Sequence, residues 1–175
     1  QGDVEALEEW YQRAAHGTRQ LVFVHGEAGV RKTTVVELFL ARLAAGSGVW
    51  TARGQCVEHY GEGEPYLPFL EALGRLGHGP ERDEVCAVLR RYAPMWLVHL
   101  PGLVSEPELE RLYGRLHGLT QARMLRELAE ALEVLTADRA LVLILEDLQW
   151  SDHATVEAFV YLGQRPEPAR LLVVG

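Results

Sequence analysis

Residues 26–34, Gly26, Glu27, Ala28, Gly29, Val30, Arg31, Lys32, Thr33 and Thr34, have types and spacing suited to holding a chain of phosphates. In the pattern G-x-x-x-x-G-K-[ST], backbone N–H groups wrap phosphate oxygens, the lysine reaches the terminal phosphates, and the hydroxyl ligates Mg²⁺. Lys32 is the sole lysine of the chain; its other sixteen basic Lys/Arg positions are arginine. A compact ammonium fits between two phosphates as a point charge, where a planar guanidinium is too wide. The nine residues are therefore candidate nucleotide-binding residues, with Thr33 a candidate ligand to Mg²⁺.

One position departs from the pattern. Arg31 stands where the motif has glycine. A side chain there adds a Cβ where the backbone curls most tightly, and an unfavourable φ at that point would cost about 1–3 kcal/mol. Two outcomes stay open: a relaxed loop in which the Arg31 guanidinium adds a phosphate contact, or a loop that no longer closes.

A second candidate group lies far downstream. Residues 141–145 are five consecutive apolar residues, the signature of a strand buried on both faces, and Glu146 and Asp147 follow at its carboxyl end. Open parallel sheets place ligands at that end. One acid there can hold Mg²⁺ and its neighbour can orient an attacking water; spacing leaves open which does which, with Glu146 favoured for the metal and Asp147 for the water, and both are candidate catalytic residues. Ser151 and Asp152 precede helical spacing at Val156, Phe159 and Val160, and either suits a helix N-cap. Trp150 reads as a packing residue at the edge of the site.

These groups need elements to position them. Residues 21–24 form a short apolar run suited to a parallel strand, and residues 33–43 follow with helical spacing, giving the strand, turn and helix that aim a helix N-terminus at an anion. Val4, Leu7, Tyr11 and Ala14 predict an opening amphipathic helix that closes near His16 and Gly17. Residues 49–56 read as a second strand. Between 61 and 138 no strand is legible; four helical stretches are, punctuated by prolines at 65, 68, 80, 94, 101 and 107. Helices over so long a span exceed what a strand crossover needs.

Composition limits the partners. At 175 residues with 48% hydrophobic content, a single domain with a real core is expected. A formal charge of −8 argues against a surface that wraps nucleic acid or docks on anionic membrane. No apolar run approaches the ~20 residues of a membrane span, and the polar start is no signal peptide, so a cytoplasmic location is expected. Cys56 and Cys86 are read as free thiols; Cys56 with His59 is only half of a metal site. The missing initiator Met and the apolar run at 171–174 suggest a piece of a larger protein.

Three segments together carry a family resemblance. They are Gly26-Glu27-Ala28-Gly29 with Lys32-Thr33, then Arg53-Gly54-Gln55-Cys56 running into Tyr60-Gly61-Glu62-Gly63-Glu64-Pro65-Tyr66-Leu67-Pro68, and finally Leu145-Glu146-Asp147-Leu148-Gln149-Trp150-Ser151-Asp152. The chain resembles the ATPase domain of large bacterial LuxR-type transcriptional regulators and cyclase-linked ATPases, in the STAND branch of AAA-like P-loop proteins. That resemblance implies an α/β fold, the three-layer αβα of P-loop NTPases with a mostly parallel sheet and an all-helical insertion, 61–138, between strands 2 and 3. Residues 1–175 would be the ATPase domain without its C-terminal part. It further implies ATP and Mg²⁺ as ligands, Lys32 and Thr33 at the phosphate and metal (Walker A) positions, and Glu146 with Asp147 as the acidic (Walker B) pair. Such domains act as switches: the nucleotide-bound form self-associates and activates attached output domains in response to sensor domains, and hydrolysis resets it. Two other readings are a scaffold or interaction domain that has lost nucleotide because of Arg31, and a small-molecule kinase, which the double acid and the helical span disfavour.

Overall fold

The computed structural model describes residues 2–26, 30–46, 48–58, 63–118 and 120–175, with Val30 by its backbone alone. Four strands, β1 (Gln20–Val22), β2 (Trp50–Gln55), β3 (Leu141–Glu146) and β4 (Leu171–Val174), form one sheet in the order β1-β4-β3-β2, every pair parallel. The helices are α1 (Gly2–Ala15), α2 (Val30–Ala44), α3 (Leu67–Gly77), α4 (Arg82–Tyr92), α5 (Pro94–Val98), α6 (Glu106–Arg115), α7 (Gln121–Leu135) and α8 (His153–Gln164).

Alternation along β3 produces the three layers. Val142 and Ile144 share a core with Val4 and Leu7 of α1 and with Val35, Val36 and Phe39 of α2. On the opposite face, Leu141, Leu143 and Leu145 pack with α3, α4, α5, α7 and α8. Successive strand residues point to opposite faces, so a strand covered on both sides must be apolar throughout. The three-layer α/β architecture and the helical segments between β2 and β3 are as the sequence predicts. Those helices share one continuous core with the sheet.

Local chemistry sets the boundaries. Helix α1 buries Val4, Leu7 and Ala14, with Asp3 and Glu5 in its first turn and Arg13 in its last, the charge order that favours a helix dipole. Pro68, Pro94 and Pro107 sit at the first or second positions of α3, α5 and α6, so they start helices rather than break them. Five α-helices and a short 3-10 helix (Pro101–Leu103) lie between β2 and β3 among the described residues, against the four or so stretches legible in the sequence. The additional α-helix is α5, whose Met95, Trp96, Leu97 and Val98 are all buried and leave no amphipathic period to read. Strand β1 is shorter than residues 21–24 suggested, although Val24 N–H still donates to the Gly175 carbonyl at 2.7 Å. Helix α2 begins at Val30, ahead of the expected 33.

Strand β2 lies at one edge of the sheet, and α3 covers that edge. The Gln55 N–H donates to Glu71 at 2.8 Å, and Arg75 donates to the Arg53 carbonyl at 3.1 Å, so side chains one helical turn apart occupy edge groups that would otherwise attract a foreign strand. Gly54 permits this approach: a Cβ there would lie 1.7 Å from the Pro68 carbonyl oxygen. We expect Gly54→Ala to cost about 3 kcal/mol, read as a lower urea midpoint, because backbone rather than a movable side chain blocks the methyl.

A second tie joins distant segments. Glu133 of α7 accepts from Arg19 at 3.0 Å and from both Nε and Nη2 of Arg165, at 2.9 and 2.8 Å. Burial opposes ionisation of Glu133, but the bonds from Arg165 and Arg19 outweigh it and hold its pKa below the ordinary carboxylate value. A depressed carboxylate stabilises the fold above its unfolded pKa and loses that contribution as pH falls through the folded one. Glu133→Gln is therefore expected to cost about 2 kcal/mol at pH 7, with the gap to the parent protein closing in denaturant titrations as the pH is lowered through the acid range.

Candidate functional site

Parallel pairing brings the two candidate groups to one end of the sheet. Val22 of β1 and Ile144 of β3 are both in register with Val174 of β4, so the chain leaves β1 toward Gly26 at the same end where β3 leaves toward Glu146 and Asp147. One strand lies between them. Two interstrand spacings amount to about 10 Å, a width that a phosphate chain and its metal can bridge.

On the β1 side, α2 carries Arg31, Lys32 and Thr33 in its first turn and has no acidic residue there. A helix N-terminus presents unpaired N–H groups and a partial positive charge, and these residues add cations without a competing carboxylate. Lys32 is half-buried and Thr33 is exposed. The lysine side chain lies back along the start of the loop: its Cγ and Cδ are 3.5 and 3.8 Å from the place a Cβ on Gly26 would occupy. Glu27, Ala28 and Gly29 lie outside the described residues, as does the side chain of Val30.

Arg31 escapes the backbone strain anticipated for it. It sits inside α2, and the non-glycine residues with positive φ among those described are Tyr66 and Asp147, so the φ penalty does not arise. Its guanidinium points to α1, 3.5 Å from Asp3, with the side chain 87% exposed.

On the β3 side, Glu146 is half-buried and ends the strand. By alternation it shares the face of Val142 and Ile144, the face covered by α2. Asp147 leaves the strand in the left-handed region, φ 57°, a conformation that aspartate tolerates better than most residues. Both of its carboxylate oxygens accept side-chain amides: Oδ2 from Gln55 Nε2 at 2.8 Å and Oδ1 from Gln149 Nε2 at 3.3 Å. Sequence reasoning missed both glutamines as site residues. Gln55 ends β2 directly opposite Glu146, and its role becomes visible only when β2 is known to pair with β3.

Two acids thus stand at neighbouring positions, one turned toward α2 and one clamped by amides. The negative field at this end of the sheet extends beyond them. Burial pushes the Cys56 thiol up to about 11, and the negative charges of Asp152, Asp147 and Glu71 add to the shift, which leaves it an inert thiol at neutral pH. Both cysteines are free and buried, and no cluster of metal-ligating side chains occurs among the described residues; His59 lies outside them. Asp152, not Ser151, caps α8, accepting from the Thr155 N–H at 2.9 Å. Trp150 is 47% exposed and is less a packing residue than its type suggested.

The residues present fit a nucleotide with its metal: an acid-free helix start bearing the one ammonium, a glycine against which that side chain folds, and paired carboxylates at the same sheet end. No curated protein matches the chain. Comparison with protein families matches residues 1–174 to the AAA ATPase domain, a type of domain that binds and hydrolyses nucleotide. With that match running across nearly the whole length and the parallel sheet beneath it, the chain belongs to the AAA ATPase domain family.

Proposed function

We propose that the chain is a nucleotide-operated switch within a larger regulatory protein, taking ATP with Mg²⁺ between the start of α2 and the acidic end of β3. The observation that carries this reading is the Lys32 side chain laid back over Gly26, at an acid-free helix start on the same sheet end as Glu146 and Asp147. Residues 26–34 bind the phosphates, and Lys32 supplies the charge at the terminal ones. Thr33 and Glu146 hold Mg²⁺, which when bound neutralises charge on the phosphate oxygens. Asp147 orients the attacking water.

Gln55 and Gln149 are positioning residues in this account. Amide N–H donors favour the ionised carboxylate and fix its plane, and a carboxylate with about four acceptor sites keeps capacity for a water beyond the two bonds it accepts here. Arg31 is available to the phosphates, because an ion pair as exposed as Arg31–Asp3 contributes little and exchanges readily.

The regulatory part of the proposal rests on the segments around Arg53–Pro68 and Leu145–Asp152, which resemble those of LuxR-type regulators and cyclase-linked ATPases of the STAND branch. On that reading residues 1–175 are the P-loop ATPase module, 61–138 its helical insertion, and its partners are sensor and output domains together with further copies of itself. A cytoplasmic setting agrees with two free, buried cysteines. No described helix is long and apolar enough to cross a membrane.

The competing reading, a scaffold without nucleotide, is favoured by Arg31 alone. Calorimetric titration of ATP with Mg²⁺ separates the two. We expect the parent chain and Arg31→Gly to bind within about tenfold of each other, and Lys32→Ala to bind about 100-fold more weakly, ~2.7 kcal/mol; tight binding by Arg31→Gly alone would support the scaffold. Steady-state hydrolysis tests the acids. Asp147→Asn should lower kcat about 100-fold or more with little change in KM, and Gln55→Leu should lower kcat about tenfold while ATP affinity holds, as a residue acting through Asp147 requires.

A further inference from the structure

A cavity of about 870 Å³ opens beside the carboxyl ends of β2 and β3, on the face away from α2. Its walls come from Cys56 and Val57 after β2, the turn leading into α3, the start of α7, and residues 149–154 leading into α8. The two sequence segments that the nucleotide site leaves unused, around Pro65–Pro68 and Trp150–Asp152, therefore converge on one space. That volume lies in the upper part of the range, about 300–1,000 Å³, common for small-molecule sites.

The lining selects by charge and shape. Glu64 and Asp152 border the cavity, and no lysine or arginine does among the described residues. Its basic groups are two histidines, and His153 has a carboxylate of its own, Glu157 at 3.0 Å. Much of the remaining wall is apolar: Val57, Leu67, Pro68 and Met124. Tyr66 holds its place in it at φ 63°, the left-handed region that non-glycine residues rarely adopt, with its ring against Trp96 at 5.2 Å between centroids. Conformations of that kind gather at ligand clamps.

Trp150 supplies the distinguishing observation. Of the four tryptophans, Trp10 and Trp50 each carry an arginine over the ring, at 4.6 and 4.2 Å, and Trp96 is buried and donates to the Met124 carbonyl at 2.8 Å. Trp150 borders the cavity 47% exposed, and the arginines stacked on aromatic rings among the described residues lie over Trp10, Tyr92, Trp50 and Tyr161 rather than over it. An indole face in a negative field attracts a cation.

We propose that this cavity is a second ligand site, for a small organic cation with an apolar body. The Trp150 face and the exposed Glu64 take the charge, Asp152 adds its negative field while both of its oxygens accept from Thr155, and the Val57, Leu67 and Met124 wall takes the body. Gln149 also lines the cavity while donating to Asp147, so an occupant stands one side chain from the acidic strand end without touching the phosphate loop.

Two fluorescent aromatic probes of opposite charge test the site without nucleotide, so the result is independent of the ATPase reading. Thioflavin T, a cation, should saturate at one per chain, and anilinonaphthalene sulfonate, an anion, should bind at least tenfold more weakly. Trp150→Ala should weaken thioflavin T about tenfold, ~1.4 kcal/mol, with partial rescue by Trp150→Phe. The double variant Glu64→Gln with Asp152→Asn, which keeps a capping side chain on α8, should weaken thioflavin T about fivefold and strengthen the anion. Equal binding of the two probes, or thioflavin T binding indifferent to these variants, would overturn the proposal. Circular dichroism verifies folding; should the α8 change unfold the chain, the exposed Glu64→Gln alone carries the charge test, with a loss of about twofold expected and no loss overturning it.

Discussion

The burial of β3 on both faces is the constraint from which the rest of the molecule follows. Leu141–Leu145 are all buried, and because alternate residues face opposite layers, the strand can be satisfied only between two sheets of helices. Its parallel pairing with β2 on one side and β4 on the other then fixes where the chain emerges. Glu146 is the first residue of the strand that is not fully buried, and it appears level with Gln55 and facing α2. The candidate catalytic pair is thus positioned by hydrophobic burial several residues away from it, and the glutamine that clamps Asp147 arrives by strand register alone.

The phosphate side depends on electrostatics at a helix start. Helix α2 opens without an acid, and the aliphatic stem of the chain's one lysine lies back over Gly26 there. Arg31 at the motif's glycine position is accommodated because its backbone is helical and its side chain leaves for Asp3. A pair that is 87% and 59% exposed in its two side chains contributes too little to hold the guanidinium against a phosphate. Arginine here changes the local charge more than the local geometry.

What could be read from residues alone followed the strength of each physical signal. The continuous apolar run of β3, the acids after it, the sole lysine and the amphipathic period of α1 were all legible, because each reflects a local rule. Helix α5 was not, since four buried apolar residues after a proline show no period. The clamp on Asp147 was not, because it joins residues 92 positions apart through a pairing that composition does not encode. The route of Arg31 to Asp3 depends on how α1 packs against α2, a tertiary fact. The cavity at Trp150 needed the fold as well: its wall is drawn from five separated stretches of chain, and each reads locally as an ordinary turn or cap.

A chain with one lysine permits an unusually direct test of the central claim. Labelling the protein with ¹⁵Nζ,¹³Cε-lysine yields a single side-chain signal, that of Lys32, to follow by magnetic resonance as ATP and Mg²⁺ are added. The account predicts a saturable shift of that signal, with slowed exchange of the ammonium protons as the amine is taken into contact with phosphate. A Lys32 resonance that stays at its nucleotide-free position, at ATP concentrations where calorimetry shows the chain saturated, would contradict it.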